Sequence, residues 1–223
     1  MGQMIELAAA DGHRFAAYRA GPENARAGLL VIQEIFGVNR HMRQVADRFA
    51  SAGYAVISPA LFDRAAPGVE LGYQPEDAQT GVALRAKIAL EDTLKDITAA
   101  AKALNTAKTG IVGYCWGGSL AWIGATQTSL FDAASGWYGA MIVKTKNARP
   151  RCPVQLHFGE NDQSIPLTDV AAIREAQPEV AVYTYPAGHG FGCEERASYN
   201  AAATTLAEER TLRFFAEHLW VGG

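Results

Sequence analysis

The sequence predicts an α/β fold, with a mostly parallel central sheet covered by helices on both faces and an antiparallel hairpin at the amino end. Three observations predict it. Continuous apolar runs such as Gly28-Leu29-Leu30-Val31-Ile32, closed by the polar pair Gln33-Glu34, read as strands buried on both faces. Segments with apolar residues at helical spacing alternate with these runs, and that alternation folds as parallel strands with right-handed crossovers. At the start, the short, partly alternating stretches Ile5 to Ala9 and Arg14 to Tyr18 flank Asp11-Gly12, a hairpin signal.

After the first buried strand, Asn39 can cap a helix in which Met42, Val45 and Phe49 share a face, and Gly53 stops it. Tyr54 to Ser58 returns as a buried strand. From Pro59 to about Gly81 the pattern dissolves among Pro59, Pro67, Gly68, Gly72 and Pro75, which predicts a long surface excursion of the kind that often carries function. Ala83 to Leu104 is helical in composition and period. Thr109 to Tyr114 is a strand backed by a helix over Ser119 to Gln127, and further strands are predicted at Phe131 to Tyr138, Val154 to Phe158 and Val180 to Tyr185. A short helix spans Leu167 to Glu175, and Ala201 to Leu219 is a long amphipathic helix with Leu206, Leu212, Phe215 and Leu219 on its apolar stripe.

With 223 residues, 49% hydrophobic and 19% charged, the chain can bury a full core, and residues 1–223 are expected to form a single domain. A net charge of -3 without a basic block gives no footprint for nucleic acid or an anionic membrane, so a small, roughly neutral ligand is the expected partner. The first residues lack the basic start and apolar core of a signal peptide, Glu6 breaks the myristoylation pattern, and no apolar run could cross a bilayer. Cys115, Cys152 and Cys193 are too few for a disulfide framework and fit free thiols in a reducing compartment, which points to the cytoplasm. A monomer or small homo-oligomer is expected.

In parallel sheets ligands sit at the carboxyl ends of strands, so the residues that follow each strand carry the search for chemistry. Gly113-Tyr114-Cys115-Trp116-Gly117 reads as strand, tight turn and helix, the nucleophile-elbow pattern with cysteine in the usual place of serine. Taken alone it could equally be a glycine-rich turn that buries a cysteine. Asp162 follows the next-to-last strand in Gly159-Glu160-Asn161-Asp162, where an aspartate is commonly a turn former and Glu160 is a rival acid. His189 follows the last strand between Gly188 and Gly190, where a surface histidine is the plain alternative. Their order is nucleophile, acid, base, the order of α/β-hydrolases. Each role has a separate need: a thiolate attacks, an imidazole carries the proton, and a carboxylate fixes the imidazole tautomer. Glu34, at the end of a run of apolar residues, is expected to be partly desolvated and to hold its proton tightly or take a partner. The backbone N–H groups of Ile35 and Trp116 stand where an oxyanion hole needs its donors. Cys152 and Cys193 have no such setting.

With these residues assembled, nearly the whole chain resembles the dienelactone hydrolase family of α/β-hydrolases. The markers are Gln33-Glu34-Ile35-Phe36-Gly37, Gly113-Tyr114-Cys115-Trp116-Gly117-Gly118, Gly159-Glu160-Asn161-Asp162 and Gly188-His189-Gly190-Phe191, supported by Pro59-Ala60-Leu61-Phe62, Ala66-Pro67-Gly68 and the segment from Ala203 to Leu212. The resemblance implies an α/β-hydrolase fold and a Cys115-His189-Asp162 triad that opens an ester or lactone through an acyl-enzyme, without a cofactor or metal. It further implies that Glu34 helps take the proton from Cys115 and that His189 holds the thiolate as an ion pair. One part does not carry over. Family members that take dienelactone hold its carboxylate with two arginines; here the position four residues after His189 is Cys193, and Asp77 to Ala83 contains no arginine, while Arg64, Arg85 and Arg196 stand elsewhere. The implied substrate is therefore an ester, lactone or thioester that need not be dienelactone.

Two other readings use the same residues. Strand, glycine turn and helix also describe a dinucleotide cradle, but Gly113-x-Cys115-x-x-Gly118 puts a thiol where a pyrophosphate needs bare backbone, and it lies mid-chain. A redox-responsive or ligand-binding protein could keep the hydrolase scaffold without turnover, since function resides in the site. A metal held by His189 and Cys193 would have two ligands four residues apart and no others in view.

Overall fold

The computed structural model describes residues 2–220, and its contacts divide the chain between Thr109 and Gly110 into two compact units. The first carries β1 (Gln3–Ala8), β2 (Arg14–Ala20), β3 (Ala27–Ile32) and β4 (Ala55–Pro59), with α1 (Arg40–Ser51), α2 (Pro75–Arg85) and α3 (Leu90–Leu104). β1 and β2 form the expected antiparallel hairpin, with Ile5 opposite Ala17; β2 pairs antiparallel with β4, and β4 pairs parallel with β3. Every residue of β3 and β4 is buried, which explains why both read as unbroken apolar runs. Asn39 caps α1 as expected, its side chain accepting the Met42 N–H at 3.2 Å.

The stretch after β4 is more ordered than its prolines and glycines predict. Leu61–Arg64 forms a buried 3-10 turn, and the Asp63 carboxylate accepts the N–H groups of Ala16 and Gly68. Pro75, read as a breaker, instead begins α2, because a missing N–H costs nothing in the first turn of a helix. The Asp77 carboxylate takes the Gln74 N–H and completes that end. The single helix expected from Ala83 to Leu104 is two: α2 ends at Arg85, and α3 begins at Leu90 with Glu91 and Asp92 in its first turn, where the helix dipole favours carboxylates. Arg64 locks the turn to α3 through Asp96, whose side chain is fully buried, and to the hairpin through Asp11.

The second unit is a regular parallel array of β5 (Lys108–Tyr114), β6 (Ala133–Trp137), β7 (Val154–Gly159) and β8 (Ala181–Tyr185), in that order, with Tyr114 opposite Trp137, Trp137 opposite His157 and Gly159 opposite Tyr185. Helices α4 (Trp116–Gln127), α5 (Leu167–Ala176) and α6 (Ala201–Leu219) complete it. The apolar stripe predicted for α6 is shifted: Leu206 and Leu212 are exposed, and the buried face is Ala203, Thr204, Ala207, Thr211, Phe215 and Leu219. Two threonines sit on that face because their hydroxyls are satisfied locally, Thr204 on the carbonyls of Phe191 and Asn200 and Thr211 on that of Ala207. Among the described residues no helix is long and apolar enough to cross a membrane.

Candidate active site

β5 delivers its chain into a turn that only glycines allow. A Cβ on Gly113 would lie 2.0 Å from the Gly117 carbonyl oxygen, and one on Gly118 would lie 2.2 Å from that of Trp137. Between them Cys115 takes φ 55° and ψ -111°, a conformation that costs a side-chain-bearing residue on the order of 1–3 kcal/mol and is concentrated at functional sites. The turn is fixed from both sides, by the Cys115 N–H on the Trp137 carbonyl at 2.9 Å and by the Ser119 N–H on the Cys115 carbonyl at 3.2 Å. The thiol is thereby held half-exposed at the head of α4, and Trp116 is the first residue of that helix.

The loops that follow β7 and β8 are tied to one another. The Glu160 N–H meets the Tyr185 carbonyl at 2.7 Å, and the Asn161 N–H meets that of Ala187 at 2.9 Å. This brings Asp162 and His189 together: His189 Nδ1 lies 2.6 Å from Asp162 Oδ2, and His189 Nε2 lies 3.2 Å from Cys115 Sγ. The other oxygen of Asp162 accepts the Ser164 N–H at 2.8 Å, so both oxygens of this buried carboxylate are used. Glu160, the rival acid, points to solvent. With a carboxylate on Nδ1, the proton of that bond belongs to the histidine, and Nε2 faces the sulfur. Burial opposes the His189 cation, but the hydrogen bonds to Asp162 and Cys115 and their charges outweigh it and push its pKa up to about 10.

The other predicted residues lie apart in sequence and character. Glu34, just past β3, is 1% exposed, and its backbone carbonyl accepts the Gln33 amide at 3.1 Å; the other end of that amide takes the Leu61 N–H. Ile35 is gripped by α2, where a Cβ on Gly81 would fall 1.8 Å from the Ile35 carbonyl oxygen. None of the three cysteines is in a disulfide; Cys193 is buried, and the Cys152 thiol is pushed up to about 11 by burial and then by the Asp132 charge.

Sequence reading missed a second, buried set of polar side chains. His157, wholly buried in β7, bonds Tyr185 Oη through Nδ1 at 2.7 Å and Thr211 Oγ1 through Nε2 at 3.3 Å. Thr211 also receives Trp137 Nε1–H, and Arg210 donates to Tyr185 Oη while lying over the Tyr183 ring. Burial, and then the Arg210 charge, lower the His157 pKa to about 3, so it is neutral in the fold. Tyr138, buried at φ 38°, lays its ring edge-on to His189. Nothing in the spacing separates these residues from core; only their hydroxyl and imidazole groups in buried strands hinted at a network.

The sequence profile of the dienelactone hydrolase family matches residues 15–219. The chain belongs to the dienelactone hydrolase family. It is 36% identical over 225 residues to a carboxymethylenebutenolidase of Pseudomonas putida, covering 95% of each chain, and 31% identical over 224 residues to carboxymethylenebutenolidase 1 of Cupriavidus pinatubonensis, again covering 95% of each. A crystal structure from Klebsiella pneumoniae, whose name places it provisionally among dienelactone hydrolases, superposes with a TM-score of 0.84 at 29% identity, over 96% of this chain and 99% of the other. The chain is thus an enzyme of a hydrolase family and carries the α/β-hydrolase fold. In the loop after His189, Cys193 occupies a buried position, whereas Arg196 packs its guanidinium against Gly190, where a Cβ would meet Nη1 at 2.3 Å. Arg64 is committed to Asp96 and Asp11.

Proposed function

We propose that this chain is a cysteine-dependent hydrolase of small carboxylic esters or lactones that works through an acyl-enzyme on Cys115. The observation that carries the reading is the unbroken chain from Sγ of Cys115 to Nε2 of His189, and from Nδ1 of His189 to the buried Asp162. A high histidine pKa at 3.2 Å from the sulfur favours a thiolate beside an imidazolium. The thiolate adds to the substrate carbonyl, and the imidazolium gives its Nε2 proton to the departing alkoxide, leaving the acyl group on sulfur. Neutral His189 then takes a proton from water as that water attacks the thioester; sulfur leaves as thiolate, the imidazolium is restored and the carboxylic acid departs. Asp162 stays ionised throughout and keeps the proton on Nδ1.

The remaining roles follow the family pattern. Glu34 is assigned as first acceptor of the thiol proton when the sulfur is neutral, which its burial at a strand end supports. The N–H groups of Ile35 and Trp116 are assigned to the oxyanion. The two units are taken to work as one hydrolase domain in the cytoplasm, as a monomer or small homo-oligomer. The names of the Pseudomonas and Cupriavidus relatives support a lactone or ester as substrate class.

The test is a panel of small activated esters and lactones with the wild type and Cys115→Ala. Turnover by the wild type with trapping of an acyl group on Cys115, and none in the variant, is the expected outcome. Equal turnover by both proteins, or a readily oxidised Cys115 with no ester cleaved, overturns the reading.

A further inference from the structure

We propose that Tyr138 is a positioning residue whose ring holds the imidazole of His189 against Cys115; this rests on the reading of Cys115 and His189 as reacting groups. Among the described residues the non-glycine positions with positive φ are Asn105, Cys115 and Tyr138. Asn105 closes α3, a place where asparagine is at ease. The other two stand at the ends of paired parallel strands, with Tyr114 opposite Trp137 one residue before each.

A single peptide group joins them. The Trp137 carbonyl receives the Cys115 N–H at 2.9 Å, and the N–H of the same peptide, that of Tyr138, donates to the His157 carbonyl at 2.8 Å. With that plane fixed on both edges, the chain must leave at once to let α4 pass, since a Cβ on Gly139 would lie 2.6 Å from the Ser119 nitrogen. Glycine would take the left-handed turn at position 138 without strain. Tyrosine takes it with strain, and what the strain sets in place is a ring. That ring meets His189 at a centroid distance of 5.3 Å and 63°, and Phe191 at 5.4 Å and 69°. Asp162 fixes the imidazole at Nδ1 only, which leaves rotation about that bond open; the edge of Tyr138 closes it on one side and keeps Nε2 on the sulfur.

The experiment compares Tyr138→Leu, Tyr138→Met and Tyr138→Phe with wild type for melting temperature, ester hydrolysis, and the rate at which iodoacetamide alkylates Cys115 across pH. Loss of the flat ring in the Leu variant is expected to lower kcat by about 10- to 100-fold with KM nearly unchanged, the scale of a small misplacement of a reacting group. Alkylation near pH 6 is expected to slow in parallel, because a loosened imidazolium no longer favours the thiolate. The Phe variant is expected to recover most of both. Met, which fills irregular gaps, carries the same expectation if Leu fails to fold. A folded Leu or Met variant with wild-type kcat and alkylation, or a change in KM alone, overturns the proposal. Alkylation is read without an ester substrate, so a wild type that cleaves no ester would sink the proposed hydrolysis and still leave Tyr138 decided.

Discussion

His157 makes the fold sensitive to acid in a way that can be worked out from its bonds. The Thr211 hydroxyl spends its proton on the Ala207 carbonyl at 2.8 Å, so it must accept from its other neighbours, Trp137 Nε1–H and His157 Nε2–H. The histidine proton is therefore on Nε2, and Nδ1 accepts from Tyr185 Oη, which in turn accepts from Arg210. A second proton on Nδ1 would face an oxygen already turned toward it as a donor, close to a fixed cation, on a wholly buried ring. The folded pKa of about 3 follows, against 6.5 for the free side chain. Between those values the unfolded chain binds a proton that the folded chain refuses, so stability falls as pH falls. Integrating that difference, about 2 kcal/mol is lost between about pH 7 and about pH 5. Urea unfolding of wild type and His157→Gln at both pH values isolates this amount, because other groups titrate alike in the two proteins. His157→Gln is expected to be less stable at neutral pH and to lose about 2 kcal/mol less on acidification. An equal acid loss in both proteins would refute the assignment of a neutral buried histidine.

Asp162→Asn should lower kcat by about 1,000-fold or more by freeing the imidazole to adopt the wrong tautomer, whereas Glu160→Gln, on an exposed side chain, should stay within about threefold; steady-state kinetics on one activated ester compares them. Arg64→Ala strips the cation from Asp96, whose carboxyl burial already pushes upward against the pull of Arg64. The loss should be about 3–5 kcal/mol at neutral pH by denaturant unfolding. It should shrink toward acid, where the fold can take the proton that neutralises Asp96; a loss that grows on acidification would contradict this.

The parts of the sequence that were legible are those where one residue type has one physical use. Asn39 could only cap, the glycines around Cys115 could only clear a close turn, and β3, β4 and β5 could only be buried on both faces. Cys115, Asp162 and His189 could be singled out because chain order and strand ends restrict where such a set can stand, and the structure links the three through the two ring nitrogens of His189. The errors share a different cause. Pro75 has two uses, breaker and first helical residue, and the choice depends on the Asp77 carboxylate that completes the cap. Leu206 and Leu212 are apolar at helical spacing, yet the face that packs carries Thr204 and Thr211, whose hydroxyls donate to the carbonyls of Asn200 and Ala207 four residues back and also meet Phe191 and His157. Periodicity weighs side chains by hydropathy, and it could not know that these hydroxyls would be satisfied.

Two kinds of backbone support hold the candidate site. Cys115 and Asp162 sit on backbone tied to strand ends, the Cys115 N–H on the Trp137 carbonyl and the Asp162 N–H on that of Gly159, so their placement is a property of the sheet. The loop after His189 is built from its own turns instead: Cys193 N–H closes on the Gly190 carbonyl at 3.1 Å, and Arg196 N–H closes on that of Cys193 at 3.1 Å. Those turns direct position 193 inward, where a thiol is buried and an arginine would have to be desolvated. They direct position 196 back along the loop, so that its guanidinium lies flat on Gly190, beside the histidine. The guanidinium of Arg196 is thus placed by a loop turn. Glycine at 190 is what makes that placement possible, because any side chain there would occupy the space of the guanidinium.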